Sequence, residues 1–259
     1  MRMQKDNFIL FIGTGTSTGV PVLSCNCEIC RSKHEKDKRL RTSAFVQINN
    51  TRIIIDIGPD FRQQLLRSEI DDFDAILITH GHRDHIAGLD EVRAFNYIRN
   101  KRIDIYTRKD VADAIRTEFP YIFDPKGYKG PPQINLHIIN QDPFTIGNIE
   151  ITPVEVMHGK MPISGFKMGN LCYVTDANLI PEESMNLMRD CGTLVLNALR
   201  TRPHPTHFSL EEAIEVAKKL NPSQCYFTHI SHFMGFHDEI NAGLPNKMQL
   251  AHDMLCIEI

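Results

Sequence analysis

Short apolar runs closed by turn-forming residues alternate along this chain with stretches whose apolar positions recur every three or four residues. That alternation predicts an α/β fold. Phe8-Ile9-Leu10-Phe11-Ile12 leads into Gly13-Thr14-Gly15 and predicts a first strand over Asn7 to Ile12, the run being too short for a signal-peptide core. Ala44 to Ile48 and Arg52 to Ile57 flank the turn dipeptide Asn49-Asn50 and predict a hairpin. Further strands are expected at Ala75 to Thr79, Ile103 to Tyr106, Ile134 to Ile139, Ile149 to Val156 and Leu171 to Val174, with Gln224 to Thr228 and Met254 to Ile259 as a final pair. Helices are expected at Phe61 to Arg67, Ile86 to Ile98, Lys109 to Phe119, Pro181 to Arg189 and Ser209 to Leu220. Leu89, Val92, Phe95 and Ile98 read as the core face of the second helix, and Ser209 with Glu212 makes a capping box that opens the last. Phe123 to Pro132 reads as a surface loop that, with Tyr121, Lys126, Tyr128 and Lys129, either overhangs a substrate or only connects. Ala75 to Thr79 and Gln224 to Thr228 both run into Thr-His, which suggests two related halves facing each other across one site.

The polar residues that end these strands carry the chemistry. His80-Gly81-His82-Arg83-Asp84-His85 packs three imidazoles and a carboxylate into six residues, each needing a partner once buried. A metal satisfies all of them, and the His80, His82 pair and the Asp84, His85 pair can face two neighbouring ions from one loop, with ligands suiting Zn, Mn or Fe. His158, Asp176, His229 and His232 follow later strands, and joined to this loop they complete two metal shells. Asp56, ending a buried strand, is expected to fix a ligand histidine; the alternative is a turn aspartate beside Gly58. Cys25, Cys27 and Cys30 are too close to pair without strain and point to a structural zinc loop at about residues 25–30, its fourth ligand lying elsewhere. Gly13 to Gly19 is not a nucleotide P-loop, because no Gly-Lys-Ser/Thr ends it and Pro21 follows. Thr16 and Ser17 within it are candidates for cradling a phosphate. Lys33 to Arg41, balanced by Glu35 and Asp37, reads as a solvated surface.

Composition narrows the setting. A chain of 259 residues, 42% apolar and 24% charged, suits one sizeable α/β core, read as a single domain over 1–259. A net charge of -3 offers no global attraction to nucleic acid or to an anionic membrane, and no apolar run approaches a membrane span. Without an export signal the seven cysteines are expected to be reduced and the chain cytoplasmic.

Thr79-His80-Gly81-His82-Arg83-Asp84-His85, followed by an isolated His158, then Asp176, then His229, resembles the metallo-β-lactamase superfamily over essentially the whole chain. The resemblance implies an αββα sandwich, two mixed β-sheets flanked by helices, with the site at one edge. It implies a first metal on His80, His82 and His158, a second on Asp84, His85 and His229, and Asp176 bridging. Three further features are similar to the PhnP-type cyclic phosphodiesterases: Gly13-Thr14-Gly15 through Gly19-Val20-Pro21, Cys25-x-Cys27-x-x-Cys30, and Thr228-His229-Ile230-Ser231-His232. In that family the last histidine completes the structural zinc, so His232 would join Cys25, Cys27 and Cys30. His207-Phe208-Ser209 resembles the motif that the PhnP and tRNase Z families set over the phosphate. Just ahead of a capped helix, where backbone N–H groups favour an anion, His207 would protonate the leaving oxygen or steady the phosphoryl charge. Ser209 lies beside it and His204 is the alternative donor.

Asp84 and His207 are thus the expected catalytic side chains of a hydrolase that cleaves small, cyclic phosphodiesters with a metal-activated hydroxide. Four positive charges offset by Asp84, Asp176 and that hydroxide leave about one for a singly charged diester. RNA 3′-processing of the tRNase Z kind is the second reading, weakened by the short half-way loop and the slightly acidic charge. A β-lactamase would carry an export signal, and a flavodiiron reductase would replace a loop histidine and append a flavin domain. A non-catalytic metal scaffold has no need of an open dimetal site. A dimer is common in the family it resembles, which makes a homodimer one expectation and leaves the oligomeric state open.

Overall fold

Two seven-stranded sheets stack face to face in the computed structural model of the chain, which describes residues 7–124, 126–127 and 129–259. Tyr128, part of the expected overhanging loop, lies outside these residues. The first sheet takes β1 (Phe8–Gly13), β2 (Ser43–Ile48), β3 (Thr51–Ile55), β4 (Ala75–Leu77), β5 (Ile103–Thr107) and β6 (Ile134–Ile138). The second takes β7 (Phe144–Ile146), β8 (Ile149–His158), β9 (Met161–Met168), β10 (Leu171–Tyr173), β11 (Thr193–Asn197), β12 (Gln224–Thr228) and β13 (Met248–Leu250). A last strand, β14 (Cys256–Glu258), returns to the first sheet beside β1. Both sheets are mixed, antiparallel over β1–β3 and β7–β10 and parallel over β3–β6 and β10–β13.

Both faces of each sheet are covered, which is why the strands read as unbroken apolar runs. In β1, Phe8, Leu10 and Ile12 face a helix layer, while Ile9 and Phe11 face the opposite sheet. The outer face of the first sheet carries α2 (Phe61–Ser68), α4 (Val92–Arg99) and α5 (Lys109–Glu118), through Phe61, Leu65, Val92, Val111 and Ile115. The second is covered by α7 (Glu182–Met188), α8 (Leu210–Leu220) and α9 (His237–Ala242), through Met188, Ala213, Ala217 and Ile240. The result is the expected αββα sandwich. No described helix is long and apolar enough to cross a membrane.

Several expectations need correction. Gln224–Thr228 and Met254–Ile259 do not pair; they serve different sheets. The expected helix over Ile86 to Ile98 is broken into α3 (Arg83–Ile86), a 3-10 turn at Leu89–Glu91 and α4. The break falls at Gly88, where a Cβ would sit 2.2 Å from the carbonyl oxygen of Gly58. Ile98, assigned to the core face, is 77% exposed. The run Lys33 to Arg41 is not uniformly solvated, since Asp37 and Arg39 are buried. Four strands, β7, β9, β11 and β13, lie outside the expectation: β7 and β13 have three residues each, and β9 contains Pro162 and Gly165, which argue against a strand.

Candidate metal centre

The loops leaving β3, β4, β8, β10 and β12 meet at one edge of the sandwich. Three of their residues, Asp56, Asp176 and His229, hold left-handed backbone, with φ of 62°, 59° and 56°. For a residue with a Cβ such a turn costs free energy and persists only where its surroundings hold it. Asp56 is held by Thr79, whose backbone N–H and hydroxyl each donate to its carboxylate at 2.8 Å. The turn after Asp176 is held by Asn197, whose side-chain amide makes hydrogen bonds to both the N–H and the carbonyl of Ala177 at 2.7 and 2.9 Å. Gly58 lets the His80–His85 loop approach: a Cβ there would lie 2.1 Å from the carbonyl oxygen of Asp84.

Three groups of side chains result, each with donor atoms all within 4.8 Å of one another: His80, His82, His158; Asp84, His85, Asp176, His229; and His158, Asp176, His207. The Asp176 carboxylate lies between the first two. Its Oδ2 is 3.5 Å from His80 Nε2 and 3.2 Å from His85 Nε2, and its Oδ1 is 3.0 Å from His229 Nε2. Most of the set is buried, while His82 is exposed and Asp84 half-buried, so the site opens to solvent on that side.

The outward-facing nitrogens of three of the rings are already engaged. His85 Nδ1 lies 2.7 Å from Asp56 Oδ2, His158 Nδ1 lies 2.8 Å from the Thr206 carbonyl, and His80 Nδ1 lies 3.0 Å from Thr79 Oγ1. For His85 and His158 these bonds keep the proton on Nδ1 and turn the Nε2 lone pair inward, the tautomer a metal requires. His85 Nε2 and His229 Nε2 are buried without a hydrogen bond, although carboxylate oxygens stand 3.2 and 3.0 Å away. Convergent lone pairs, orphaned nitrogens and an acceptor-only carboxylate between them fit a pair of divalent cations. Burial pushes the Asp56 carboxyl up, against the pull of His85. Burial also acts to raise Asp84, but His85 and His229 beside it hold it below the usual carboxylate range. Burial, then His85, pushes His80 well down.

A fourth group lies close by. His232 Nδ1 is 3.4 Å from the Sγ of each of Cys25, Cys27 and Cys30. Tetrahedral zinc, with bonds of about 2.3 Å to sulfur and about 2.0 Å to nitrogen, would set these atoms about 3.5 Å apart. Cys27 caps α1 (Glu28–Arg31), and the Cys30 N–H on its sulfur draws its thiol down to about 6.

His207 sits at the rim, its Nε2 3.8 Å from Asp176 Oδ2 and its ring stacked on His229. Its Nδ1 meets Thr206 Oγ1 at 3.0 Å and His204 Nδ1 at 3.1 Å. Burial pushes it down to about 4. Thr16 is buried and donates its N–H to the Ile230 carbonyl, beside His229, whereas Ser17 is exposed and accepts from Arg41 through its carbonyl. The Ser209 hydroxyl is engaged by Glu212 in the capping box, so that group is committed to opening α8. Thr79, Thr206 and Asn197 are parts of the site that the sequence reading missed. Thr79 and Asn197 left a trace, each a polar residue closing an apolar run, Ile76-Leu77-Ile78 and Leu194-Val195-Leu196.

Residues 51–230 match the model of the β-lactamase superfamily domain. A crystal structure of a diphosphatase from the PhnP family is 39% identical, superposes with a TM-score of 0.91 and is covered over 98% of both chains. An octanoyltransferase of Porphyromonas gingivalis is 37% identical over 249 residues, 95% of this chain and 50% of that protein. The chain spans about half the length of the curated relatives it matches. Human short-form tRNase Z shares the fold at 17% identity, with a TM-score of 0.72 over 97% of this chain and 99% of that one.

Proposed function

The chain belongs to the β-lactamase superfamily, among its PhnP-like metal-dependent hydrolases, and from that premise we propose that it is a dinuclear phosphodiesterase acting on small, cyclic phosphodiesters. The observation that carries this reading is the Asp176 carboxylate, within 3.5 Å of nitrogens belonging to both histidine groups. His80, His82 and His158 would hold one divalent ion and Asp84, His85 and His229 the other, with Asp176 shared; nitrogen and oxygen ligands accept Zn or Mn. Ions bound there supply a nucleophile from water at neutral pH and offset charge on the phosphoryl oxygens.

The protein's own residues do the rest. Asp56 and the Thr206 carbonyl aim His85 and His158, as described. His207 enters the site uncharged at neutral pH, and its Nε2 faces the space where a phosphoryl or leaving oxygen would lie. A hydrogen bond donated by an Nε2–H there steadies the charge developing on that oxygen, the proton staying on the ring. No side chain is needed as nucleophile, so a covalent intermediate is not expected. Cys25, Cys27, Cys30 and His232 hold a structural zinc that braces the rim next to His229. The diphosphatase neighbour supports phosphoryl chemistry and puts diphosphate esters on the list to be tested.

The test is a side-by-side assay at defined Zn or Mn load with bis(p-nitrophenyl) phosphate, 2′,3′-cyclic nucleotides, a diphosphate diester, a precursor tRNA and a β-lactam. Fastest turnover of the small phosphodiesters is expected. Preference for the precursor tRNA would transfer the assignment to RNA processing, and preference for the diphosphate would replace the substrate class. Preference for the lactam overturns phosphoryl chemistry altogether.

A further inference from the structure

His229 is held differently from the other buried imidazoles of the site. Nδ1 of His80, His85 and His158 each meets a neighbouring oxygen, but Nδ1 of His229 is buried with no hydrogen-bond partner among the described residues. Its aim therefore falls to its left-handed backbone and to the residue that follows. Ile230 is clamped from both sides by the Gly13–Thr16 turn: its N–H donates to the Thr14 carbonyl at 2.9 Å, and its carbonyl accepts from the Thr16 N–H at 3.1 Å. Ser231 is tied to the Leu199 carbonyl by its N–H at 2.9 Å and its hydroxyl at 2.8 Å.

Thr14 is anchored in turn by two buried charged residues that the reaction does not use, Asp253 and Arg39, which meet through its hydroxyl; Arg67 Nη1 also lies 3.6 Å from Asp253 Oδ2. Asp253 Oδ1 accepts from the Thr14 N–H at 2.9 Å and the Thr14 hydroxyl at 2.7 Å, while its Oδ2 accepts from the Leu40 N–H at 2.8 Å. Arg39 Nη1 donates to Thr14 Oγ1 at 2.8 Å and to the Ala251 carbonyl at 2.6 Å, and its Nη2 lies 3.1 Å from His237 Nδ1. The His237 N–H reaches Asp37, which also accepts the Ser32 hydroxyl just beyond the cysteine loop. Thr14, Arg39, His237 and Asp253 are all at least 95% buried. Buried charged groups bonded into a connected network like this specify one arrangement of what they touch, because any other leaves a buried charge without its hydrogen bonds.

We propose that Arg39 and Asp253, joined through the Thr14 hydroxyl and acting by the clamp on Ile230, form the positioning device that sets His229 in the dinuclear site and His232 in the cysteine site together. This rests on the metal-holding reading of both sites. Thr14→Val tests it mildly, since the valine keeps the backbone N–H for Asp253 and loses only the hydroxyl that joins the two charges. Co2+ is the probe, its thiolate charge-transfer band reporting the cysteine site and its d–d bands the histidine and aspartate sites, each titrated against a chelator. Thr14→Val is expected to weaken Co2+ about tenfold at both sites and to shift both sets of bands, with Thr14→Ser restoring them. Arg39→Met is expected to move both sites in the same direction. Asn96→Ala, which deletes buried hydrogen bonds to Lys101 and Gln133, controls for lost stability and should leave both spectra unchanged. Wild-type affinity at both sites in Thr14→Val, or no rescue by serine, overturns the inference. Failure of the wild-type protein to take up Co2+ at the histidine and aspartate groups would instead overturn the dinuclear reading.

Discussion

The histidine and aspartate groups and the cysteine group share one short segment, since His229 and His232 are three residues apart, yet they are built in opposite ways. The first draws its side chains from loops of both sheets, buries most of them and aims several through a partner such as Asp56, Thr79 or the Thr206 carbonyl. Its three left-handed strand ends each cost on the order of 1–3 kcal/mol, and the packed sandwich holds them in place. The second takes three of its four members from the turn Cys25–Cys30, around a four-residue helix with no buried residue. One group is thus assembled by the fold in advance, whereas the other, read as a zinc site, would depend on its ion for order.

Removing the shared carboxylate probes this contrast most severely. Asp176→Ala is expected to lower phosphodiester turnover by about three orders of magnitude and to empty the dinuclear site, while one zinc per chain stays on the cysteines. Metal analysis by mass spectrometry beside the assay checks both, and loss of the cysteine zinc as well would dissolve the contrast. Next in size, His207→Ala should depress turnover about 100-fold with metal content unchanged. Cys25→Ser combined with Cys27→Ser should release one zinc and reduce turnover about tenfold by loosening the rim. Full zinc retention in that double variant would sink the structural-zinc reading.

The smallest effect concerns pH. Burial, and next the Arg39 charge, push His237 down from 6.5 to about 4. The unfolded chain takes up this proton near 6.5 and the folded chain only near 4, so the stability His237 contributes is complete above that window and is lost as pH falls through it. His237→Gln keeps an acceptor for Arg39 and should lose about 1 kcal/mol less than wild type between pH 7 and pH 5. Denaturant unfolding of both proteins in the presence of a chelator measures the difference.

The two regions were also unequally legible. The loop from His80 to His85 and the Cys25–Cys30 turn announce themselves because their chemistry is compressed into a few residues. The hairpin around Asn49-Asn50 and the capping box at Ser209 were readable for the same reason, being local. What stayed hidden is long-range. Nothing near Thr206 marks its carbonyl as the partner of a histidine 48 residues away, and Asn197 closes a strand that was not read. Arg39 and Asp37 lie in a charge run whose composition says surface, and their burial is explained only from afar, by His237, about 200 residues on, which meets both. Gly58 and Gly88 mark where two backbones cross, a fact set by neighbours that the local pattern does not contain.

The two groups that would each hold an ion span the seam of the sandwich: His80, His82, Asp84 and His85 leave β4 of one sheet, while His158, Asp176 and His229 leave β8, β10 and β12 of the other. Cations seated there would work as rivets, because shearing one half past the other must first tear coordinate bonds. Stripping them should therefore quicken amide exchange along the inner strands of both halves at once, rather than in the ligand loops alone.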